Sequence, residues 1–339
     1  MTKLYSITIA LLAAAVALVL SPVASADAQT IEIKLSHFVP PQHAFHKWVT
    51  AWTEKLEKDS GGRLKFTIYP NGQLVGPPNR QLDAARNGVT DIAWVLHGVT
   101  PGRYPMTELA NLPFAWKGTT DDIVETAVRM TQLAPKYLAA EHTGLHILFM
   151  SMANPVVVYS KTQITKLDDF KGMKIRYASA ANKALLDSLG ATTLLIPPPD
   201  SQDALAKGII AGATFPHEAG LAYDLAGVVK YALDPGMASA TFAMAMNPTK
   251  YNSLPPDLKA LLDKESGVTA AESFGKAWAA QEKFARELET TKKGLVIGTL
   301  SDGDIAKLKE LAKKQTDEEV AKLEKEGKPA KAFMAEYLK

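Results

Sequence analysis

Arg176 is the residue whose type and surroundings point most directly to ligand chemistry. It ends the segment Asp169–Arg176 (DFKGMKIR) and lies in a predicted strand over Met173–Ala178. A guanidinium buried in such a strand requires an anion, because an unpaired charge away from water is very costly. The anion can be an internal Asp or Glu, or a ligand carboxylate, whose two oxygens match the planar fork of arginine.

Aromatic and histidine side chains lie at or after several predicted strand ends, where open α/β sheets bind ligands. For each of them, packing in the core or rim is an alternative to ligand contact. We favour ligand contact for His37 and Phe38, and core packing for Trp94 and Phe242. The candidate wall residues besides Arg176 are His37, Phe38, Trp94, His97, Phe215, His217 and Phe242.

The search for catalytic and metal-binding motifs yields little. The sequence has no G-x-S-x-G, H-E-x-x-H or P-loop motif. Ser273 and Lys276 form an S-x-x-K pattern, but within a long helical segment and without the S-D-N or K-T-G elements. His43 and His46 have a spacing that suits a metal, yet no cysteine or acidic partner accompanies them. We therefore predict no catalytic residues, no metal site and no cofactor.

Length and composition limit the class of protein. The chain has 339 residues, of which 47% are hydrophobic, enough for a large core and for two domains. Its 38 Lys and Arg nearly balance 36 Asp and Glu, and no dense basic run occurs, which argues against nucleic acid as a partner. The absence of cysteine excludes disulfides and thiol catalysis, and it is compatible with an oxidising compartment.

The first 26 residues have the pattern of an export signal. Lys3 precedes an uncharged apolar run over Ile7–Leu20, and small residues follow, so that cleavage after Ala26 or Ala28 would satisfy the A-x-A rule. A permanent membrane anchor is the alternative, but the run is short for a membrane span and no second apolar run of that kind follows. We predict a soluble, exported, periplasmic protein.

The remaining sequence alternates strand and helix patterns. A β-α-β-α-β order after residue 30 predicts an α/β domain with a largely parallel sheet, in which strand 145–152 is central. A second α/β unit begins near residue 154. Residues 255–292 have a nearly unbroken helical pattern, roughly 50 Å long, which we interpret as a strut across both domains.

Several short motifs together resemble the DctP-type solute-binding proteins of TRAP transporters, across essentially the whole mature chain. Residues 169–176 match that family's D-x-K-G-x-K-x-R segment, which ends in the arginine that binds the substrate carboxylate. Residues 60–63 (SGGR), 69–74 (YPNGQL), 87–92 (NGVTDI) and 112–114 (LPF) resemble family motifs in the expected order.

The resemblance implies a type II-like periplasmic binding protein, in which two α/β domains, joined by crossing strands and a long helix, close on a ligand in the cleft. We expect one domain over 29–153 plus about 239–282, and the other over 154–238 plus about 283–339. The resemblance also implies an organic acid bound at Arg176, delivery to a TRAP membrane permease, and no catalysis. It leaves open a metal ion that bridges the ligand, which we do not predict.

Two departures from the family pattern bear on the ligand. Phe215 stands where many members have an asparagine that touches the ligand, and residues 154–157 lack the second arginine of the sialic-acid branch. One arginine and an aromatic wall favour a monocarboxylate, aromatic or branched. The alternatives are an ABC-type periplasmic receptor, a sensory binding protein and, less favoured, a periplasmic hydrolase.

Overall fold

A computed structural model describes residues 30–115 and 122–339, which form two β-sheets with helices packed around them. The predicted export signal lies outside the described residues. Among the described residues, no helix combines the length and the apolar composition that crossing a membrane requires.

The first sheet has five strands in the order β2-β1-β3-β10-β4. Strand β1 runs parallel to β2 and β3, whereas β10 returns from the second half of the chain and pairs antiparallel with β3 and β4. The strands are β1 Ile31–Ser36, β2 Leu64–Tyr69, β3 Ile92–Leu96, β4 His146–Met152 and β10 Thr241–Met246.

The second sheet has six strands in the order β11-β9-β5-β8-β6-β7. Strand β6 runs parallel to β7 and β8, and β5 joins the halves of the sheet by pairing antiparallel with β8 and β9. The strands are β5 Val156–Ser160, β6 Lys174–Arg176, β7 Thr192–Leu194, β8 Gly212–Phe215, β9 Tyr231–Ala238 and β11 Val296–Thr299.

Eleven α-helices lie in the described residues. They are α1 Ala44–Asp59, α2 Gln81–Arg86, α3 Asp122–Tyr137, α4 Ala180–Ser188, α5 Ser201–Ala206, α6 His217–Ala222, α7 Pro248–Ser253, α8 Pro256–Lys264, α9 Gly267–Lys292, α10 Asp302–Lys325 and α11 Ala330–Tyr337.

The predicted strut is shorter than expected, because the helical pattern over 255–292 forms two helices. Helix α8 ends at Lys264, and α9 begins at Gly267, whose φ of +57° suits glycine. Helix α9 has 26 residues and is roughly 39 Å long. Its first half packs Phe274 and Trp278 into the core of the first sheet, and Glu289 in its second half accepts a hydrogen bond from Tyr159 of β5. Helix α9 therefore does connect the two sheets.

The structure also differs from the predicted strands at β4, β9 and β11. Strand β4 is an edge strand rather than a central one, and it is buried because helices cover it. Strands β9 and β11 escaped prediction, since Pro235 and Gly236 interrupt the apolar pattern of β9. Strand β11 has four residues and lies at the edge of the sheet, where it pairs with β9, and β9 in turn pairs with β5.

The fold class agrees with the prediction of a two-domain α/β binding protein with strands that cross between the halves. The first sheet takes its strands from residues 31–152 and 241–246, and the second from residues 156–238 and 296–299. The domain boundaries stay a prediction.

Candidate ligand-binding site

A cavity lies where the carboxyl ends of β1, β3, β6 and β8 approach each other between the two sheets. Its walls are mostly aromatic and aliphatic: Phe38, Val39, His43, Trp94, Leu96, Ala153, Val156, Arg176, Ala178, Pro198, Thr214, Phe215, Pro216, Ala219, Tyr223, Ala240, Phe242 and Trp278.

Strand β6 directs Arg176 into this cavity. Neighbouring residues of a strand point to opposite faces, and Ile175 packs into a hydrophobic cluster with Phe170 and Leu185 on one face. Arg176 therefore points to the other face, where it is paired in register with Ala213 of β8. The side chain is only 3% exposed.

The guanidinium of Arg176 contacts backbone carbonyls and an aromatic ring, but no carboxylate. Its Nε donates to the carbonyl of Ile196 at 3.1 Å and its Nη1 to that of Thr214 at 2.5 Å. Its Cζ lies 4.1 Å from the ring centroid of Phe215. Among the described residues, Arg176 forms no ion pair, and its Nη2 has no hydrogen-bond partner.

Burial lowers the pKa of Arg176 to about 9, while the nearby Tyr223 and Tyr177 act to raise it. The side chain therefore remains a cation at neutral pH. Two carbonyl acceptors satisfy part of the guanidinium without neutralising its charge. What the surroundings lack is an anion next to Nη2, and a carboxylate is the group that best matches this geometry.

Opposite Arg176, a stack of aromatic rings forms the wall of the first sheet. Trp94 lies between Phe45 and Phe242, with ring centroids 4.1 and 4.3 Å away and planes within 7° of parallel. Phe38 is stacked on the same indole at 5.4 Å. Trp278 of α9 meets Phe242 edge-on at 5.4 Å. Phe45 and Phe242 cover the two faces of Trp94, so a flat apolar group in the cavity can pack against the other rings of this wall, those of Phe38, Phe242 and Trp278.

Glu218 of α6 links the two sides of the cleft. Its Oε1 accepts a 2.6 Å hydrogen bond from the backbone N–H of Ala44, at the start of α1, and its Oε2 accepts one from Trp278 Nε1 at 3.0 Å. His43 Nδ1 accepts from the N–H of Phe45, so its Nε2 carries the proton and faces Glu218 Oε2 at 3.3 Å.

Helix α6 is itself held by α9. Glu282 of α9 accepts hydrogen bonds from the backbone N–H groups of His217 and Glu218, at 2.9 and 2.7 Å. Burial raises the pKa of Glu218 to about 8 and that of Glu282 to about 7. Through their hydrogen bonds, Glu218 and Glu282 hold α6 against α1 and α9.

Five of the eight residues predicted from the sequence line the cavity: Phe38, Trp94, Arg176, Phe215 and Phe242. Trp94 and Phe242, for which we favoured core packing, do both, since they belong to the hydrophobic core and also face the cavity.

The other three, all histidines, do not line this cavity, because each is used in a buried contact elsewhere. His97 Nε2 lies 3.0 Å from His142 Nε2, and His142 Nδ1 lies 2.9 Å from the carbonyl of Leu138. A carbonyl can only accept, so His142 Nδ1 carries a proton and His97 Nε2 donates to His142 Nε2. His97 Nδ1 then accepts from the hydroxyl of Thr241 at 3.1 Å.

His37 and His217 are engaged in a similar way. His37 Nε2 is 3.0 Å from His46 Nδ1, and burial lowers the pKa of His37 to about 3. His217 Nδ1 is 2.9 Å from a carboxylate oxygen of Glu289. Ligand contact by His37, His97 and His217 stays a prediction, without support from these positions.

His43 and His46 also serve separate partners, since His43 faces Glu218 and His46 faces His37. In the described part of the chain, no group of three or more His, Cys, Asp or Glu side chains is arranged to hold a metal ion.

Sequence reasoning missed three large lining residues: His43, Tyr223 and Trp278. Each lies in or beside a helix rather than at the end of a strand. A helical pattern indicates that Trp278 is buried but not that it borders a cavity. The Pro216–Tyr223 segment directly after β8 was the one available signal for Tyr223.

Two sheets joined by crossing strands and one long helix, with an unpaired buried cation in a cavity between them, define a ligand-capturing binding protein. The match to a protein family agrees with this class. The sequence model of the family "Bacterial extracellular solute-binding protein, family 7", also called DctP, matches residues 35–323. The chain therefore belongs to this family. It is a solute-binding protein of the TRAP type, as the resemblance predicted, and the family assignment favours this over an ABC-type receptor or a hydrolase.

Individual relatives and solved structures agree with the family assignment. The outer membrane transporter protein TsaT of Comamonas testosteroni is 26% identical over 301 residues, which cover 86% of each chain. A TRAP solute-binding protein from Rhodoferax ferrireducens, solved with copurified benzoate, is 28% identical with a TM-score of 0.85, and the match covers 91% of this chain and 97% of that one. A marine metagenome TRAP solute-binding protein specific for aromatic acid ligands, solved with 3-hydroxybenzoate, has the same identity, coverage and TM-score.

Proposed function

We propose that this protein captures an aromatic monocarboxylate, such as benzoate or a close derivative, with the carboxylate on Arg176 and the ring between the aromatic walls. The observation that carries the proposal is the environment of Arg176. Its guanidinium is buried and has no acidic partner among the described residues, and Nη2 borders a mostly apolar cavity. A charge-assisted hydrogen bond there contributes about 1.5–3 kcal/mol.

The charge of the cavity favours one carboxylate over two. Of the described residues that line it, Arg176 is the only lysine or arginine. His43 also lines it, but burial lowers the pKa of His43 to about 3, so this ring is neutral at physiological pH. A second carboxylate would be buried without a countercharge, at a cost of several kcal/mol. Dicarboxylates such as succinate should therefore bind poorly.

The shape and chemistry of the walls favour an aromatic ring. Phe215 and Tyr223 lie on the side of Arg176, and the stacked Trp94 and Phe242 lie on the other. Two similar proteins, each 28% identical to this chain, were solved with benzoate and with 3-hydroxybenzoate. These ligands support an aromatic acid here, because both carry a single carboxylate on a flat ring.

The same proposal includes the cellular role. The protein is exported by its N-terminal signal, closes on its ligand in the periplasm and delivers it to the membrane subunits of a TRAP transporter, without chemical conversion. Membership of an extracellular solute-binding family supports this role. Recovery of benzoate unchanged after prolonged incubation with the protein would agree with it, whereas turnover would contradict it.

A matched ligand panel tests the proposed ligand class. Titration calorimetry would compare benzoate and 3-hydroxybenzoate with benzamide, which keeps the ring but lacks the charge, and with succinate, which has two charges and no ring. We expect the two aromatic acids to bind at least a hundredfold more tightly than benzamide or succinate. Tighter binding of succinate, or equal binding of benzamide, would contradict the proposal.

A further inference from the structure

Tyr223 carries a polar group that no protein atom satisfies. Its hydroxyl oxygen is buried and has no hydrogen-bond partner among the described residues, although the side chain lines the cavity that contains Arg176. A buried hydroxyl without a partner destabilises the protein, so such groups are rare in folded proteins. This one therefore requires a specific explanation.

Backbone hydrogen bonds on both sides of the cleft fix the position of Tyr223. Tyr223 directly follows α6, and its backbone N–H donates to the carbonyl of Ala219 at 2.9 Å. The preceding carbonyl, of Ala222, accepts a hydrogen bond from Gln42 Nε2 across the cleft at 2.9 Å. With Glu282 fixing the start of α6, the side chain is attached to a rigid support on the cavity wall.

The side chains of Tyr223 and Arg176 both lie next to the ring of Phe215. The guanidinium lies 4.1 Å from the centroid of the Phe215 ring, and the ring of Tyr223 lies 5.8 Å from that centroid, inclined at 56°. Both polar side chains therefore flank the same ring and border the same cavity. Phe215 itself offers no hydrogen bond, so it leaves the two groups next to it free to share a ligand.

The nearby hydroxyl of Thr214 already has partners within the protein, whereas Trp94 Nε1, on the other wall of the cavity, also lacks one among the described residues. The hydroxyl of Thr214 lies 3.1 Å from the carbonyl of Arg176 and 2.8 Å from Asn182 Oδ1. Burial raises the pKa of Tyr223 above its usual range, and Glu218 acts in the same direction, so the hydroxyl keeps its proton and can donate it. An acceptor next to the Arg176 cation is best supplied by an anion.

We propose that Tyr223 is a second ligand-binding residue, whose hydroxyl donates a hydrogen bond to the same ligand carboxylate that pairs with Arg176. The inference rests on the proposed function, because it takes the aromatic monocarboxylate as the ligand. Arg176 supplies the charge and one donor, and Tyr223 supplies the neutral donor. The carboxylate thereby gains two partners without a second protein cation.

Removing the hydroxyl by Tyr223→Phe tests this role. We expect the variant to bind benzoate and 3-hydroxybenzoate about tenfold more weakly, with the ratio of the two dissociation constants unchanged, because both ligands share the carboxylate. The melting temperature of the ligand-free variant should be equal to or above that of the wild type, since an unpaired buried hydroxyl is removed. A purely structural role would lower it.

Tyr177→Phe is the matched control. Tyr177 also raises the pKa of Arg176, but it packs into the cluster of Ile175 and Leu185 and does not line the cavity. Loss of the Tyr177 hydroxyl should leave the dissociation constants for benzoate and 3-hydroxybenzoate within about twofold of the wild-type values.

The remaining outcomes distinguish failure of the role of Tyr223 from failure of the proposed function. Unchanged affinity of Tyr223→Phe, with wild-type binding intact, would overturn the role of Tyr223 and leave the proposed function standing. Weaker binding of 3-hydroxybenzoate alone would also overturn it, since the hydroxyl would then contact the ring substituent. Failure of the wild type to bind either acid would overturn the proposed function itself, and the role of Tyr223 with it.

Discussion

The Cζ atom of Arg176 lies over the ring of Phe215, 4.1 Å from its centroid. The two residues come from neighbouring parallel strands, and Arg176 is in register with Ala213, two positions before Phe215 on the same face. The ring and the carbonyls of Ile196 and Thr214 together fix the plane of the guanidinium. The cation therefore presents Nη2 to the cavity in one orientation, before any ligand arrives.

Replacing Phe215 by Leu should weaken ligand binding while preserving an apolar wall. Leucine lacks the face of π electrons that attracts the guanidinium, a contact worth roughly 0.5–2 kcal/mol. We expect the dissociation constant for benzoate to rise about three- to tenfold in titration calorimetry. Phe284→Leu, at a position on α9 that is 53% exposed, is the control and should bind normally. Normal binding by Phe215→Leu would show that the contact is dispensable.

Gly98 should be essential for closing the cleft. It follows β3 of the first sheet, and a Cβ atom added there would lie 2.3 Å from the carbonyl oxygen of Ala178, which follows β6 of the second sheet. Gly98→Ala should therefore disfavour the closed arrangement and weaken benzoate binding at least tenfold. In small-angle scattering, benzoate should reduce the radius of gyration of the wild type but not that of the variant.

Gly303→Ala controls for the added methyl group. A Cβ atom at Gly303 meets only Ser301 Oγ, at 3.9 Å, in ordinary van der Waals contact. This variant should bind and compact like the wild type. The account of closure would be wrong if Gly98→Ala compacted on benzoate to the same extent as Gly303→Ala.

Glu218 should make the stability of the ligand-free protein depend on pH. Burial raises its pKa from an ordinary value of 4.5 to about 8. The unfolded chain therefore releases this proton first, so the contribution of Glu218 is fully present below pH 4.5 and is lost as the pH rises towards 8. His43, which faces Glu218, stays neutral over this window because burial lowers its pKa to about 3.

Glu218→Gln isolates that contribution, because glutamine does not titrate. Glu282, whose buried carboxyl has a pKa of about 7, and Lys47, whose charge lowers the pKa of Glu218, remain in both proteins. The melting temperature of the wild type minus that of the variant should fall by roughly 3 °C or more between pH 5 and pH 8. A difference that is constant over this range would contradict the raised pKa.

The features that could be predicted from the sequence are those that a local pattern of residues determines. Arg176 could be found because a cation in an apolar strand needs an anion, and because its segment resembles a family motif. The alternation of strands and helices was enough to predict two α/β units. Residues 255–292 predicted a connecting helix, but not its break before Gly267, where Ser266 and the positive φ of Gly267 interrupt the helix.

The remaining features depend on long-range pairing that no local pattern encodes. His37, His97 and His217 follow or lie beside strand ends, as ligand-binding residues often do. One ring nitrogen of each instead contacts another side chain, which is His46, His142 or Glu289, respectively. Tyr223 and Trp278 border the cavity only because α6 and α9 pack at its mouth. Such positions become visible once the sheets and helices are assembled.

The central claim is that the Arg176 guanidinium binds the ligand carboxylate, and calorimetry of Arg176→Lys with benzoate tests it most directly. A lysine keeps the charge, but it has no planar group that the carbonyls of Ile196 and Thr214 can hold while a further donor faces the ligand, so we expect at least a tenfold weaker affinity in a folded protein. Arg103→Lys, at a partly exposed arginine paired with Asp83, should bind like the wild type. Wild-type affinity for benzoate in Arg176→Lys would contradict the account.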